Sequence, residues 1–409
     1  MKICLITHAY PLFTGDWRAN FIESLARAYA RLGHSVTVLI PYAAGWQRSC
    51  HDVPEVSIVT YRYAPLKRLH TAGYGRSVKN DLHINPWHAI LALFLVLSGI
   101  VRFARLLRKE KYDLVQAHWA LPNTLIALGG RFLGGTPTKI FTSFPGSDVT
   151  VITKLGRAGN LLASIIGKSD YLSCNSTDLK EDLVKAGLRA ERIELVIYGV
   201  DDQAIHFDMP GRLAVRKRLG IRDPNILLLM IGRFVPKKGF STGFRALKYI
   251  TEKHSNVTLA VIGSGMLMEE YLNILRQDGT QAHVRFLGEV APHELSGYYS
   301  ACDIFLMPSE RFPSDGLNVV VPEAMACGRP VVASNAGGNN IVVSNGVNGY
   351  LHAAGDPMDL AEKVIRLIND PVQRNDMGNK SVELVRSRFN WMSIAQYYIE
   401  SYRKLSQAE

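Results

Sequence analysis

The sequence has little cysteine: five residues in 409, an odd number, with no Cys-x-x-Cys pair. Cys4, Cys50, Cys174, Cys302 and Cys327 lie far apart, and four of them stand in apolar or strand-like surroundings. That pattern argues against a disulfide framework and predicts reduced, buried thiols in a reducing compartment. The histidines are scattered without zinc spacing and no cluster of metal ligands stands out, so no metal is expected. There is no internal repeat and no low-complexity tract. Met1 leads straight into the strand pattern KICLIT with no signal peptide, from which a cytoplasmic protein is expected. The uncharged run 86–101 is 16 residues long, short of the roughly 20 needed to span a bilayer. The first loop has no G-x-G-x-x-G, which counts against a dinucleotide site there.

What is present is ordinary in bulk and uneven in charge. A chain of 409 residues, 47% hydrophobic and 20% charged, has the size of about two to three domains with a large core. The net charge is +11. Residues 1–200 hold 24 Lys and Arg against 14 Asp and Glu, whereas residues 201–409 hold 23 against 22. The first half therefore faces something anionic, such as a membrane surface, a phosphorylated acceptor or nucleic acid, or carries its charge for solubility alone.

Apolar runs alternate with amphipathic stretches along the whole chain. KICLIT, a helix over about 18–32 and HSVTVLIP make a βαβ unit. Strands follow at VSIVTYRY (56–63), DLVQAHWALP (113–122), KIFTSFPGSDV (139–149), YLSCNS (171–176) and RIELVIYGVD (192–201), with helices over about 123–134 and 177–187. NILLLMIGRF (225–234), VTLAVIGSG (257–265), VRFLGEV (284–290), DIFLMPS (303–309), PVVASN (330–335) and GVNGYL (346–351) continue the pattern, with helices starting near Gly239 and running over about 356–369. Residues 86–111 admit three readings: a buried core helix, a helix lying in a membrane interface, and a spanning helix. Their basic tail, with Arg102, Arg105, Arg108, Lys109 and Lys111, leads us to expect peripheral binding to the cytoplasmic face of an anionic membrane.

The densest chemistry lies in residues 308–338, PSERFPSDGLNVVVPEAMACGRPVVASNAGG. Asp315 and Glu323 stand eight positions apart between two short buried strands, so the segment reads as strand, loop, helix, strand. A proline is tolerated only in a first turn, so Pro322 puts the helix start near Asn318. The unpaired amides of about residues 317–320 then suit an anion such as phosphate. One turn further in, the Glu323 carboxylate is placed to accept both protons of a vicinal diol; without a ligand it would simply complement the helix dipole.

This stretch resembles the E-x7-E region of the retaining nucleotide-sugar glycosyltransferases of family 4, which have the GT-B fold. The resemblance implies that Glu323 binds the ribose hydroxyls and that Asp315 contacts the donor sugar, with Gly316, Leu317, Asn318 and Val319 lining the donor site. Asp315 departs from the family's glutamate by one methylene. Residues 232–239, GRFVPKKG, resemble the family's GR…KG loop, which implies that Arg233 and Lys238 point at the donor diphosphate while Lys237 points away. Gly263, Gly265 and Leu287 resemble positions bordering the base, where contacts are through backbone or shape. In the first loop the family often has two adjacent glycines closing on the diphosphate; here Gly15 alone remains, as a donor contact or a plain turn. The loops at His118 and at residues 145–148 resemble two acceptor-side loops. Pro145 replaces the histidine of the family's HGxD, leaving Gly146 and Asp148. His118 is either an acceptor-positioning or deprotonating residue or a satisfied core histidine, and Asp148 either an acceptor-side residue or a helix N-cap.

The resemblance implies an α/β protein of two Rossmann-like, doubly wound domains facing each other across a cleft. Residues 1–205 would form the acceptor domain, residues 206–388 the nucleotide-sugar donor domain, and a C-terminal helix within 389–409 would pack back onto the first. It further implies metal-independent transfer of a hexose-type sugar, with retention, from a UDP- or GDP-sugar to a hydroxyl of a glycan, lipid-linked or polysaccharide-precursor acceptor. No cofactor and no nucleic-acid partner are expected. Two other readings share the fold: a nucleotide-sugar 2-epimerase, and a non-catalytic nucleotide-sugar-binding protein in which Pro145 and Asp315 mark lost chemistry.

Overall fold

The computed structural model describes residues 1–13, 16, 19–43, 46, 55–71, 78–79, 83–84, 86–311 and 316–407; Gly15, Cys50 and Asp315 lie outside these. The chain divides into two compact units. Met1–Asn175, Leu179–Val196 and the last helix from Trp391 form the first, and Ser176–Asp178 with Ile197–Asn390 form the second.

The first unit is built on strands β1 (Lys2–Ile6), β2 (Ser35–Pro41), β3 (Val56–Tyr61), β4 (Leu114–His118), β5 (Lys139–Phe144), β6 (Tyr171–Cys174) and β7 (Ile193–Leu195). Among the described residues they form one parallel sheet in the order β3-β2-β1-β4-β5-β6-β7. The second unit has β8 (Ile226–Ile231), β9 (Val257–Ile262), β10 (Val284–Phe286), β11 (Ile304–Met307), β12 (Val331–Ser334) and β13 (Gly349–His352). These are likewise parallel, in the order β10-β9-β8-β11-β12-β13. Strands such as β8 (ILLLMI) and β11 (IFLM) are continuous apolar runs because parallel strands are covered by helices on both faces. In each sheet the order reverses once, between β1 and β4 and between β8 and β11. The loops leaving those neighbouring strands diverge, which opens a crevice at the carboxyl edge of each sheet.

Helices α1 (Asn20–Arg31), α2 (Pro86–Lys109), α3 (Ala120–Gly134) and α4 (Ser147–Lys154) serve the first unit. Helices α5 (Phe240–Lys253), α6 (Leu295–Ala301) and α7 (Val320–Ala326) serve the second. The last helix, α8 (Trp391–Gln407), lies on the first unit. There the Tyr398 hydroxyl sits 3.2 Å from Ser173 Oγ on β6. Helix α7 starts at Val320, two residues later than the position of Pro322 suggested. The Val321 amide donates to the Asn318 carbonyl at 2.9 Å, so the turn before the helix is already hydrogen-bonded. The four described cysteines, Cys4, Cys174, Cys302 and Cys327, are buried free thiols.

Residues 86–109 are helical, and one face of α2 is core. Leu91, Leu95, Phe103, Leu106 and Leu107 join Cys4, Ile6, Val115 and Ile140 in one cluster. Helix α3 approaches α2 through glycines: a Cβ at Gly99 would stand 2.7 Å from Ile126, and one at Gly129 2.7 Å from Ile100. At Gly130 a Cβ would overlap the Phe103 ring. Phe103 is fully buried in the core cluster. Gly130→Val is therefore expected to destabilise the protein by about 1–3 kcal/mol through overpacking, read as a lower urea midpoint at unchanged slope.

Candidate active site

The second unit gathers its candidate residues at the carboxyl edge of its sheet. Arg233 lies two residues beyond β8, Gly263 follows β9, Leu287 follows β10, and Ser309 stands two residues beyond β11. The loop after β8 is held from inside by Phe234. This ring is buried against Tyr271 at a centroid distance of 5.3 Å and Phe240 at 5.9 Å, while its neighbour Arg233 is left exposed. The close fit also explains two glycines. Gly239 has φ +63° and passes so near the Pro308 carbonyl that no Cβ fits there. Gly263, at φ +132°, passes the Gly232 carbonyl equally closely. Leu287 is held in place by its amide, which donates to Val261 O at 2.9 Å.

Lys238 and Asn318 meet across this switch point. Lys238 Nζ donates to Asn318 Oδ1, so the basic loop after β8 and the segment before α7 are joined 80 residues apart in sequence. Asn318 is buried, and its amide nitrogen donates to Ser309 Oγ at 2.9 Å and contacts Asn339 Oδ1 at 3.4 Å. Asn339 in turn donates to Ser334 O at 3.2 Å and Met307 O at 3.4 Å, the ends of β12 and β11. A lysine ammonium is thus carried on a polar network anchored in two central strands. Gly316 and Leu317 are buried beside it and Val319 is exposed.

Glu323 lies in the first turn of α7 and is half-buried. The Tyr299 hydroxyl on α6 donates to Glu323 Oε2 at 2.6 Å. Burial pushes the Glu323 carboxyl up from its ordinary 4.5 to about 7, and the Tyr299 bond pulls in the opposite direction. A carboxyl raised in this way and held at one oxygen is a candidate for a functional group. Sequence reasoning missed Tyr299, Ser309 and Asn339. Nothing in their local pattern distinguishes them from core-edge polar residues.

In the first unit His118 ends β4 and is 1% exposed. Neither ring nitrogen has a hydrogen-bond partner among the described residues, and the Phe21 ring meets it edge-on at 6.1 Å. Burial lowers its pKa to about 3, so the imidazole is neutral. Of the two roles expected for it, a neutral ring favours positioning an acceptor hydroxyl over deprotonating it.

The next residue, Trp119, has φ +60°, a strained backbone for a bulky side chain. Two side chains hold it there. Asn123 Nδ2 donates to the carbonyls of His118 at 2.6 Å and Trp119 at 3.1 Å. Asp148 Oδ2 accepts from the Ala120 amide at 2.7 Å. Asp148 Oδ1 also accepts from Gly146 N and Val149 N, both at 3.1 Å. Asp148 is therefore neither an N-cap, since Gly146 takes that position, nor a carboxylate open to an acceptor: it is buried and staples the loop after β4 to the start of α4. Burial raises its pKa to about 6 against the pull of these amides. Asp148→Ala, which leaves three amides without their acceptor, should lower the unfolding free energy by about 1–3 kcal/mol, measurable by denaturant titration.

Two doubly wound units, the second carrying Arg233, Lys238 and Glu323 around its switch point, define the class of GT-B transferases. Residues 19–204 match the family model described as "Glycosyltransferase Family 4" and residues 212–383 that described as "Glycosyl transferases group 1". The chain belongs to the family 4 glycosyltransferases. Among curated relatives it is 29% identical, over 96% of both chains, to the GDP-mannose-dependent alpha-(1-6)-phosphatidylinositol monomannoside mannosyltransferase of Mycobacterium tuberculosis. Among solved structures it is similar in fold to Anabaena Alr3699/HepE in complex with UDP, at TM-score 0.73, 19% identity and 99% and 100% coverage. It is similar also to sucrose-phosphate synthase of Thermosynechococcus elongatus, at TM-score 0.74, 20% identity and full coverage of both chains.

Proposed function

We propose that this glycosyltransferase moves a hexose-type sugar from a nucleoside diphosphate sugar to a hydroxyl of a glycan, lipid-linked or polysaccharide-precursor acceptor, with retention and without a metal. The observation that carries the proposal is the joining of Lys238 to the segment before α7 at the switch point of the second unit, with Glu323 one turn on. Glu323 binds the ribose diol. Arg233 and Lys238 hold the diphosphate and neutralise the charge that builds on it as the bond from the anomeric carbon to phosphate oxygen breaks. The acceptor oxygen bonds to the same face of that carbon and its proton passes to the departing phosphate, leaving a free nucleoside diphosphate. Asp315 would contact the donor sugar and Gly15 the diphosphate; both are assigned by resemblance alone. Gly146 would border the acceptor, beside the neutral ring of His118.

The nucleotides named for relatives differ: the mycobacterial enzyme is GDP-mannose-dependent and the Anabaena protein is in complex with UDP. The test is therefore a thermal-shift screen of the protein against UDP-, GDP- and ADP-sugars, followed by product analysis with the stabilising donor. One donor should raise the midpoint and be hydrolysed or transferred above background. Conversion of UDP-N-acetylglucosamine to its 2-epimer with no acceptor would replace the proposal with an epimerase, and binding without any turnover with a nucleotide-sugar-binding protein.

A further inference from the structure

We propose that the outward face of α2 rests on an anionic lipid surface, with the helix axis in the plane of the membrane. Ile90, Leu93, Phe94, Leu97 and Val101 are all exposed, from 43% for Val101 to 58% for Leu93. Their spacing places them in one line along the helix, roughly 16 Å long. The stretch Ile90–Lys109 is long and apolar enough by composition to cross a membrane. Its opposite face, however, is committed to the core of the first unit through Leu91, Leu95, Phe103, Leu106 and Leu107. A helix with one face in a protein core and one apolar line outside lies in an interface rather than across it.

The line of apolar residues runs into exposed Arg105 and Arg108, with exposed Lys109 and Lys111 beside them. Arg108 Nη2 donates to the Leu133 carbonyl at 2.8 Å, which brings the end of α3 to this basic corner. There Phe132 is 85% exposed. Among the described residues nearby, the Glu110 carboxylate pairs with Lys2 at 3.8 Å, and Asp113 accepts the Lys2 amide at 2.7 Å. The corner therefore presents cations to its surroundings. Anionic headgroups complement them, whereas a second copy of this chain would bring another basic half against them.

The proposal is tested by co-sedimentation of the full chain with phosphatidylcholine vesicles with and without phosphatidylglycerol. Binding should appear only with phosphatidylglycerol and weaken as salt is raised. The double variant Leu93→Ser/Phe94→Ser should bind about tenfold more weakly, as should Arg105→Glu/Lys109→Glu; Arg108 is left intact because it holds Leu133. Stabilisation by donor nucleotide should be unchanged in both variants. That control shows that they are folded and keeps this test separate from the transferase reading. The proposal is overturned if wild type fails to sediment with anionic vesicles at low salt, or if the Leu93→Ser/Phe94→Ser variant sediments as wild type. It is equally overturned if that variant dissolves a dimer of the wild-type chain that shows no vesicle binding.

Discussion

An enzyme carrying Lys238→Ala is expected to transfer sugar about 100- to 1,000-fold more slowly than wild type, the cost typical of removing one preorganised group aimed at developing charge. Its unfolding midpoint should barely move. Asn318 would lose one partner but keep Ser309 and Asn339, so the polar network under the site survives. The loss should fall on the chemical step more than on donor binding, because the ammonium interacts most strongly when charge has accumulated on the leaving diphosphate. Single-turnover transfer with saturating donor separates the two. Lys237→Ala is the control. The Lys237 backbone carbonyl accepts the Glu310 amide at 3.0 Å whatever the side chain, and most of the rate should remain. Normal single-turnover rates in Lys238→Ala would remove Lys238 from the proposed mechanism.

The strands and the glycine-bearing loops were legible in the sequence because strands covered on both faces are mostly apolar. The loops that leave their carboxyl ends then follow by position. Arg233, Lys238 and Glu323 were singled out through the resemblance of the GRFVPKKG loop and of the segment around Asp315 and Glu323; the structure puts the first two in the loop after β8 and the third in the first turn of α7. What tertiary contact decides was not legible. The bond from Lys238 to Asn318 spans 80 residues and that from Tyr299 to Glu323 spans 24. Neither leaves a local trace. Asp148 has the look of a capping residue from its neighbours, yet its shortest bond is to the amide of Ala120, at the start of α3. The register of α7 shows a smaller gap: Pro322 restricts the helix start to one turn without choosing the residue, and the bond from Val321 to Asn318 then sets it at Val320. For α2, composition left core and interface open. Glycines on α3 admit one face of the helix into the core, whereas Leu93, Phe94 and Leu97 on the opposite face are exposed.

Donor affinity should rise with pH through about 7 and lose that dependence in Glu323→Gln. The carboxylate must be ionised to accept both hydroxyls of a ribose, and in the free protein burial raises its pKa from 4.5 to about 7. Each pH unit below that value leaves about tenfold less of the binding form. The Kd for UDP or GDP, whichever the donor screen selects, should therefore fall by up to about tenfold between pH 6 and pH 8. Stability of the free protein runs the other way. A carboxyl whose pKa is raised on folding holds its proton in the native state after the unfolded chain has released it. Its contribution is therefore most favourable below 4.5 and declines as pH climbs through about 7. The stabilisation added by nucleotide should grow over the upper part of the same interval. Tyr299→Phe removes the hydroxyl that favours the ionised form, so its affinity curve should shift to higher pH. Glu323→Ala should cost about 2–3 kcal/mol of donor binding, the scale of hydrogen bonds to a charged group. Isothermal titration across the pH series checks all four proteins, and an Ala variant that binds as tightly as wild type would remove Glu323 from the ribose site.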